Sequence, residues 1–136
     1  MRFVAFALAI AMITSPAIAQ DSSIEDLQIL SDTQGYNFAS YFNNLRTVLR
    51  KNWSAVMPEI ALKGEKGRAV VTFTIIRDGK IQDFRVDLST GNQELDRAAE
   101  SAIKTSSPFP HLPESFKGDR IILRVTFLYN LKPAAR

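Results

Sequence analysis

The chain has 136 residues, the length of one domain, and its 46% hydrophobic and 23% charged content exclude wholesale disorder. Its 17 basic and 14 acidic residues give a net charge of +3. Acids and bases are interleaved, as in Arg77-Asp78, Lys80 with Asp83 and Arg85 with Asp87, so the clustered basic face that nucleic-acid binding requires is missing.

The N-terminus is expected to be a signal peptide over 1–19. Arg2 precedes an apolar run from Phe3 to Ile13, and Ala17-Ile18-Ala19 supplies a small-residue cleavage pattern. The alternative is a retained inner-membrane anchor, because the stretch from Phe3 to Ala19 has 17 residues, the lower limit for a helix crossing about 30 Å of hydrocarbon. Cleavage after Ala19 would leave a mature charge of +2 (17 − 1 = 16 bases against 14 acids). The chain has no cysteines, so an exported form would be held together by its core alone, which fits a bacterial periplasm.

Residues 20–36 are polar and acidic and read as a linker or tail. Ile24, Leu27 and Ile29-Leu30 offer at most a short amphipathic turn against the domain. A helix is expected next. Phe38, Tyr41, Phe42, Leu45, Val48, Leu49, Trp53 and Val56 recur at three- and four-residue steps, with Asn37 as N-cap and Met57-Pro58 as the stop. Such an aromatic stripe reads as core packing under a sheet rather than as a ligand box.

From Gly67 the period becomes two. Val71, Phe73 and Ile75 alternate with Val70, Thr72 and Thr74, and Phe84, Val86 and Leu88 repeat the pattern after Asp78-Gly79. This predicts a hairpin, with a type I′ turn at Asp78-Gly79 and a bulge early in its second strand, where Ile81 falls out of phase. Leu95, Ala98, Ala99, Ala102 and Ile103 then mark a second helix, capped by Asn92. After a stiff proline-rich stretch, Ser106 to Pro113, the last strand is expected over 120–131, with Ile121, Leu123, Val125, Phe127 and Tyr129 on one apolar face.

The order is α-β-β-α-β. A right-handed crossover gives an α+β fold with a three-stranded antiparallel sheet in the order 2-1-3 and both helices on one face. The last strand is then a free edge. A free edge is either protected or used by a partner strand. The residues expected to meet a partner are Arg124, Val125, Thr126, Phe127, Leu128, Tyr129 and Asn130.

Nothing in the sequence supports an enzyme, a metal or a cofactor. His111 stands alone between prolines, and Asp83 with Asp87 on one strand face is more simply solubilising than an acid–base pair. The nucleophile, metal and phosphate motifs are all missing.

The ordered series Asn52-Trp53 with Pro58, Gly67-Arg68-Ala69-Val70-Val71-Thr72-Phe73, Arg77-Asp78-Gly79-Lys80, Ser89-Thr90-Gly91, Leu95-Asp96-Arg97-Ala98-Ala99, Pro108-Phe109-Pro110-His111-Leu112-Pro113 and Val125-Thr126-Phe127 resembles the TonB C-terminal domain family. The likeness covers 37–131, leaving 132–136 as a tail. It implies a periplasmic protein that contacts an outer-membrane TonB-dependent transporter or another envelope protein, by pairing its last strand with a partner segment, in energy-dependent transport. Neither nucleic acid nor a small-molecule substrate is expected. The family's long proline-rich spacer is missing: residues 20–36 lack proline and would extend about 60 Å at most. Two readings stand beside the transporter-binding one. They are an edge-paired homodimer and, if the N-terminal segment is kept, a complete membrane-anchored transducer.

Overall fold

The computed structural model describes residues 21–25 and 27–133; the expected signal peptide and the end of the C-terminal tail lie outside them. The elements are β1 (Ser23–Ile24), β2 (Gln28–Ile29), α1 (Ala39–Ala55), α2 (Glu59–Leu62), β3 (Gly67–Ile76), β4 (Ile81–Leu88), α3 (Gln93–Ser106) and β5 (Arg120–Tyr129). The hairpin and the last strand take the expected order, β4-β3-β5, all antiparallel. β3 is central and pairs with β5 without a break from Gly67↔Tyr129 to Ile76↔Arg120.

The sheet is not three-stranded. β1 and β2, from the stretch read as a linker, both pair antiparallel with the far side of β5, giving five strands. Among the described residues there are three helices rather than two, because Pro58, extended at ψ 153°, starts the single turn of α2 instead of only ending α1.

One face of the sheet carries the core. Val71, Phe73 and Ile75 of β3 and Ile121, Leu123, Val125, Phe127 and Tyr129 of β5 are buried on it. α1 lays Tyr41, Leu45, Leu49 and Trp53 over that face, and α3 adds Leu95, Ala99, Ala102 and Ile103. The buried row of α1 advances by four residues a step, so it is narrower than the expected stripe: Phe42, Val48 and Val56 are only half-buried. Trp53 joins the layers. Its ring meets Phe127 and Tyr129 edge-on at 5.2 and 5.0 Å. Its Nε1 donates to the Tyr129 hydroxyl at 2.9 Å, and that hydroxyl donates to the Leu95 carbonyl at 2.7 Å. α1, β5 and α3 are thereby tied by one buried hydrogen-bonded chain.

The hairpin turn differs from the type I′ expectation. Only Gly79 has a positive φ (91°), and the loop closes through Gly79 N–H to the Ile76 carbonyl and Ile76 N–H to the Lys80 carbonyl. Its backbone is needed elsewhere. The Gly79 carbonyl accepts from Phe109 N–H at 2.8 Å, and a Cβ on Gly79 would lie 1.9 Å from the Phe109 carbonyl oxygen. Glycine is required there by both φ and close approach. The expected bulge in β4 is present: Thr72 pairs with Arg85 and Thr74 with Gln82, and Asp83 takes φ 54°.

The start of α3 is fixed by side chains. Asn92 accepts from the amides of Glu94 (2.9 Å) and Leu95 (3.3 Å), as its capping role predicts. Asp96 reaches back to the turn before the helix. Its carboxylate accepts from the Thr90 amide (2.8 Å), the Thr90 hydroxyl (2.7 Å) and the Ser89 hydroxyl. Burial works to raise this carboxyl, but the Ser89 and Thr90 donors outweigh it and hold it below the usual carboxylate range. A depressed folded pKa stabilises the fold above about pH 4, the ordinary carboxylate value. That stabilisation disappears as pH falls through the lower folded value. Asp96→Asn should therefore cost about 1 kcal/mol at pH 7, below the usual range for hydrogen bonds to a charged group because the site is partly exposed and screened by water. In urea unfolding the gap to the wild type should narrow as pH falls below the ordinary carboxylate value; a gap that ignores pH would contradict this role for Asp96.

Candidate partner-binding edge

The seven residues expected to meet a partner all lie on or just after β5, and they divide by parity. Val125, Phe127 and Tyr129 are wholly buried on the helix side. Burial pushes the Tyr129 hydroxyl up to about 12, so it stays a donor throughout the physiological range. These residues shape the strand but offer a partner no side chain. Arg124, Thr126 and Leu128 lie on the opposite face of the sheet.

Successive backbone groups of a strand point to opposite sides, and the even-numbered ones of β5 point away from β3. The Thr126 and Ile122 carbonyls accept from the amides of Glu25 (2.9 Å) and Leu30 (2.8 Å). The amides of Ile122 and Asn130 donate to the hydroxyls of Ser31 and Ser22, each at 3.0 Å. Asn130, at φ 52°, also ends the strand: its Nδ2 donates to the carbonyls of Ala61 and Glu65.

The expectation that β5 is a free edge is therefore overturned. Residues 22–31 lie along it as a strap. Ile24 is opposite Phe127 and Ile29 opposite Leu123, so both face the core, and Leu27 and Ile29 pack against it half-buried. The amphipathic turn considered for this segment does not form, because Ile24 and Ile29 gain apolar burial and backbone partners together only in extended geometry. Among the described residues the sheet's unpaired sides are those of the short strands β1 and β2 and, at the opposite end, that of β4. β4 carries the Asp83 bulge and two exposed apolar residues, Val86 and Leu88.

Beside the strap, on the face away from the helices, lies a shallow hollow of about 360 Å³ lined by Glu25, Gln28, Arg68, Asp87, Arg124 and Thr126, among others. Asp87 is its electrostatic centre. It accepts from the Thr72 hydroxyl and from Arg85 Nε (3.0 Å), and Arg124 Nε stands 3.7 Å away. The Thr72 hydroxyl first, then Arg85 and Arg124, hold its carboxyl below the usual carboxylate range. All three partners favour its ionised form. His111 is exposed in its loop. Among the described residues no group of His, Asp and Glu has the arrangement to hold a metal ion.

Sequence reasoning missed Ser22, Ile24, Glu25, Ile29, Leu30 and Ser31 as residues of this edge. Two β-branched residues flanked by serines were the available signal.

The geometry defines a small α+β domain whose own N-terminal segment pairs with the outer side of β5. The TonB C-terminal family model matches residues 38–127, and the chain belongs to that family, which is known in envelope energy transduction and interacts with outer-membrane transporters. Among solved structures, two solution structures of the Helicobacter pylori TonB C-terminal domain are similar. The shorter is 26% identical, with 69% of this chain and 97% of that one covered and a TM-score of 0.52. The longer is 29% identical over 76% of this chain and 95% of that one, with a TM-score of 0.49. The Pseudomonas aeruginosa TonB C-terminal domain is 28% identical over 57% of this chain and 79% of that one, with a TM-score of 0.40. No curated protein matches the chain. Among the described residues no helix is long and apolar enough to cross a membrane.

Proposed function

We propose that this chain is a periplasmic TonB-like binding module. It engages an outer-membrane transporter, or another envelope protein, by taking a partner strand along β5 from Arg124 to Asn130, as one step of energy-dependent transport. The observation that carries this reading is that the outer side of β5 already holds an extended segment, through backbone groups at Ile122, Thr126 and Asn130. Strand addition there needs no rearrangement of β3 or of either covering helix.

The strap also bears on export. While it is docked, only the few residues between Ala19 and Ser22 separate the N-terminal apolar segment from the sheet, a reach of about 10 Å. A chain held in the inner membrane by that segment would keep its domain at the membrane surface, whereas cleavage after Ala19 frees the domain to diffuse. The soluble reading predicts mature protein beginning at Gln20 in the periplasmic fraction. Recovery of intact Met1 in the inner membrane would restore the anchored transducer.

Thr126 is the position for testing the edge, since its backbone faces away from β3. Proline at Thr126 removes one outward donor and leaves the β3 ladder intact. Thr126→Pro should abolish capture of the transporter from solubilised envelope while the far-UV circular dichroism keeps its folded form. Capture at wild-type level by the folded variant would rule out β5 as the partner edge.

A further inference from the structure

The strap does not fit β5 as well as a strand can. From Ile24, opposite Phe127, to Gln28, opposite Arg124, it takes four steps, while β5 takes three. One extra residue is therefore accommodated between Glu25 and Gln28. The sequence explains why. The apolar residues Ile24, Leu27 and Ile29 are spaced three and then two, so an unbroken ladder would turn Gln28 toward the core and Ile29 away from it. The extra residue puts Ile29 back opposite Leu123, at the cost of ladder hydrogen bonds in the middle of the strap. The ends rely on side chains: the hydroxyls of Ser22 and Ser31 take the places of backbone acceptors for Asn130 and Ile122. Within the strap, the Ser23 hydroxyl is buried without a hydrogen-bond partner. On the other side of the same strand, β3 pairs residue for residue over its whole length.

We infer that residues 22–31 are a built-in competitor for the β5 edge, deliberately imperfect as a strand, and that the ligand fitting this edge better is an extended peptide with strictly alternating apolar residues. The inference rests on the reading of β5 as the partner edge. The strap's advantage is its attachment. Residues 32–38 tether it next to its own site, and a short tether gives a high effective concentration. A ligand arriving from solution meets only the fraction of molecules whose strap is open, so its apparent affinity falls by that fraction. A peptide that pairs without the central interruption gains the hydrogen bonds the strap lacks and can displace it. Release leaves the domain itself intact, since Phe38 to Tyr129 contains both long helices and the three long strands.

The test uses the strap's own sequence as ligand. A fluorescent peptide of residues 22–31 is titrated by anisotropy against the full chain in three forms: wild type, Ile24→Asp with Ile29→Asp to release the strap, and Gln28→Cys with Arg124→Cys to lock it. The chain has no other cysteine, and directly paired residues of an antiparallel ladder lie about 4.5–5.5 Å apart, within disulfide reach. The released form should bind the peptide about tenfold or more tightly than wild type, as relief of an intramolecular competitor requires. The oxidised lock should not bind it, and reduction should restore wild-type behaviour. A peptide lacking Asp26, whose central sequence becomes Ile-Glu-Leu-Gln-Ile, should bind the released form more tightly than the native one.

Equal affinity of wild type and released form, binding by the oxidised lock, or no binding to any form would overturn the inference. Fluorescence of the single, buried Trp53 checks that each form is folded. If the released form binds the peptide yet captures no envelope protein, the transporter reading fails while the competitor stands.

Discussion

β5 has hydrogen-bonding groups on both sides and a wholly apolar row beneath, and the rest of the fold follows from satisfying all three. The row beneath is met by the helices, with Trp53, Tyr129 and Leu95 in one buried hydrogen-bonded chain that sets the height of α1 and α3 over the strand. The inner side is met by β3 in an unbroken register. The outer side is met by the strap, in two short pieces. With the strap docked these outer groups are paired within the chain; when it opens they are left as a solvated edge that another strand can pair with.

The two sides of β5 differ in kind. Ladder and core packing coincide along β3, where every inward residue is buried and every register position is filled. Along the strap the two demands conflict, and the extra residue between Glu25 and Gln28 settles the conflict in favour of packing Ile24 and Ile29. The edge most exposed to exchange is thus the one that the transport reading requires to be exchangeable. Docking also shortens the tether. Residues 20–36, about 60 Å when extended, are largely consumed when 22–31 lie on the sheet.

The elements made of long periodic runs were legible in the sequence. The alternation from Val70 to Ile75, the four-residue steps from Tyr41 to Trp53, and the Asn92 cap each state their structure locally, and the order β4-β3-β5 follows from crossover handedness. The family resemblance was legible too, because its motifs lie inside those elements. The strap was not. Ile24, Leu27 and Ile29 follow neither a period of two nor one of 3.6, so no local pattern marks them as strand; only β5, about a hundred residues away, gives them that shape. The turn at Gly79 was misread for a similar reason, since its geometry answers to the Phe109 backbone docked on it. The residues expected to meet a partner were named as one stretch, but parity divides them: Thr126 and Asn130 present backbone outward, while Val125, Phe127 and Tyr129 serve the core.

Native-state amide hydrogen exchange within β5 tests the account most directly, since it resolves the two sides of a single strand. The amides of Ile122 and Asn130, which donate to the strap serines, should exchange through a local opening of low free energy. Those of Leu123, Val125 and Phe127, which face β3, should exchange only with global unfolding. Equal protection on both sides, matching the global stability, would show that the strap is an integral strand and would contradict an edge that opens for a partner.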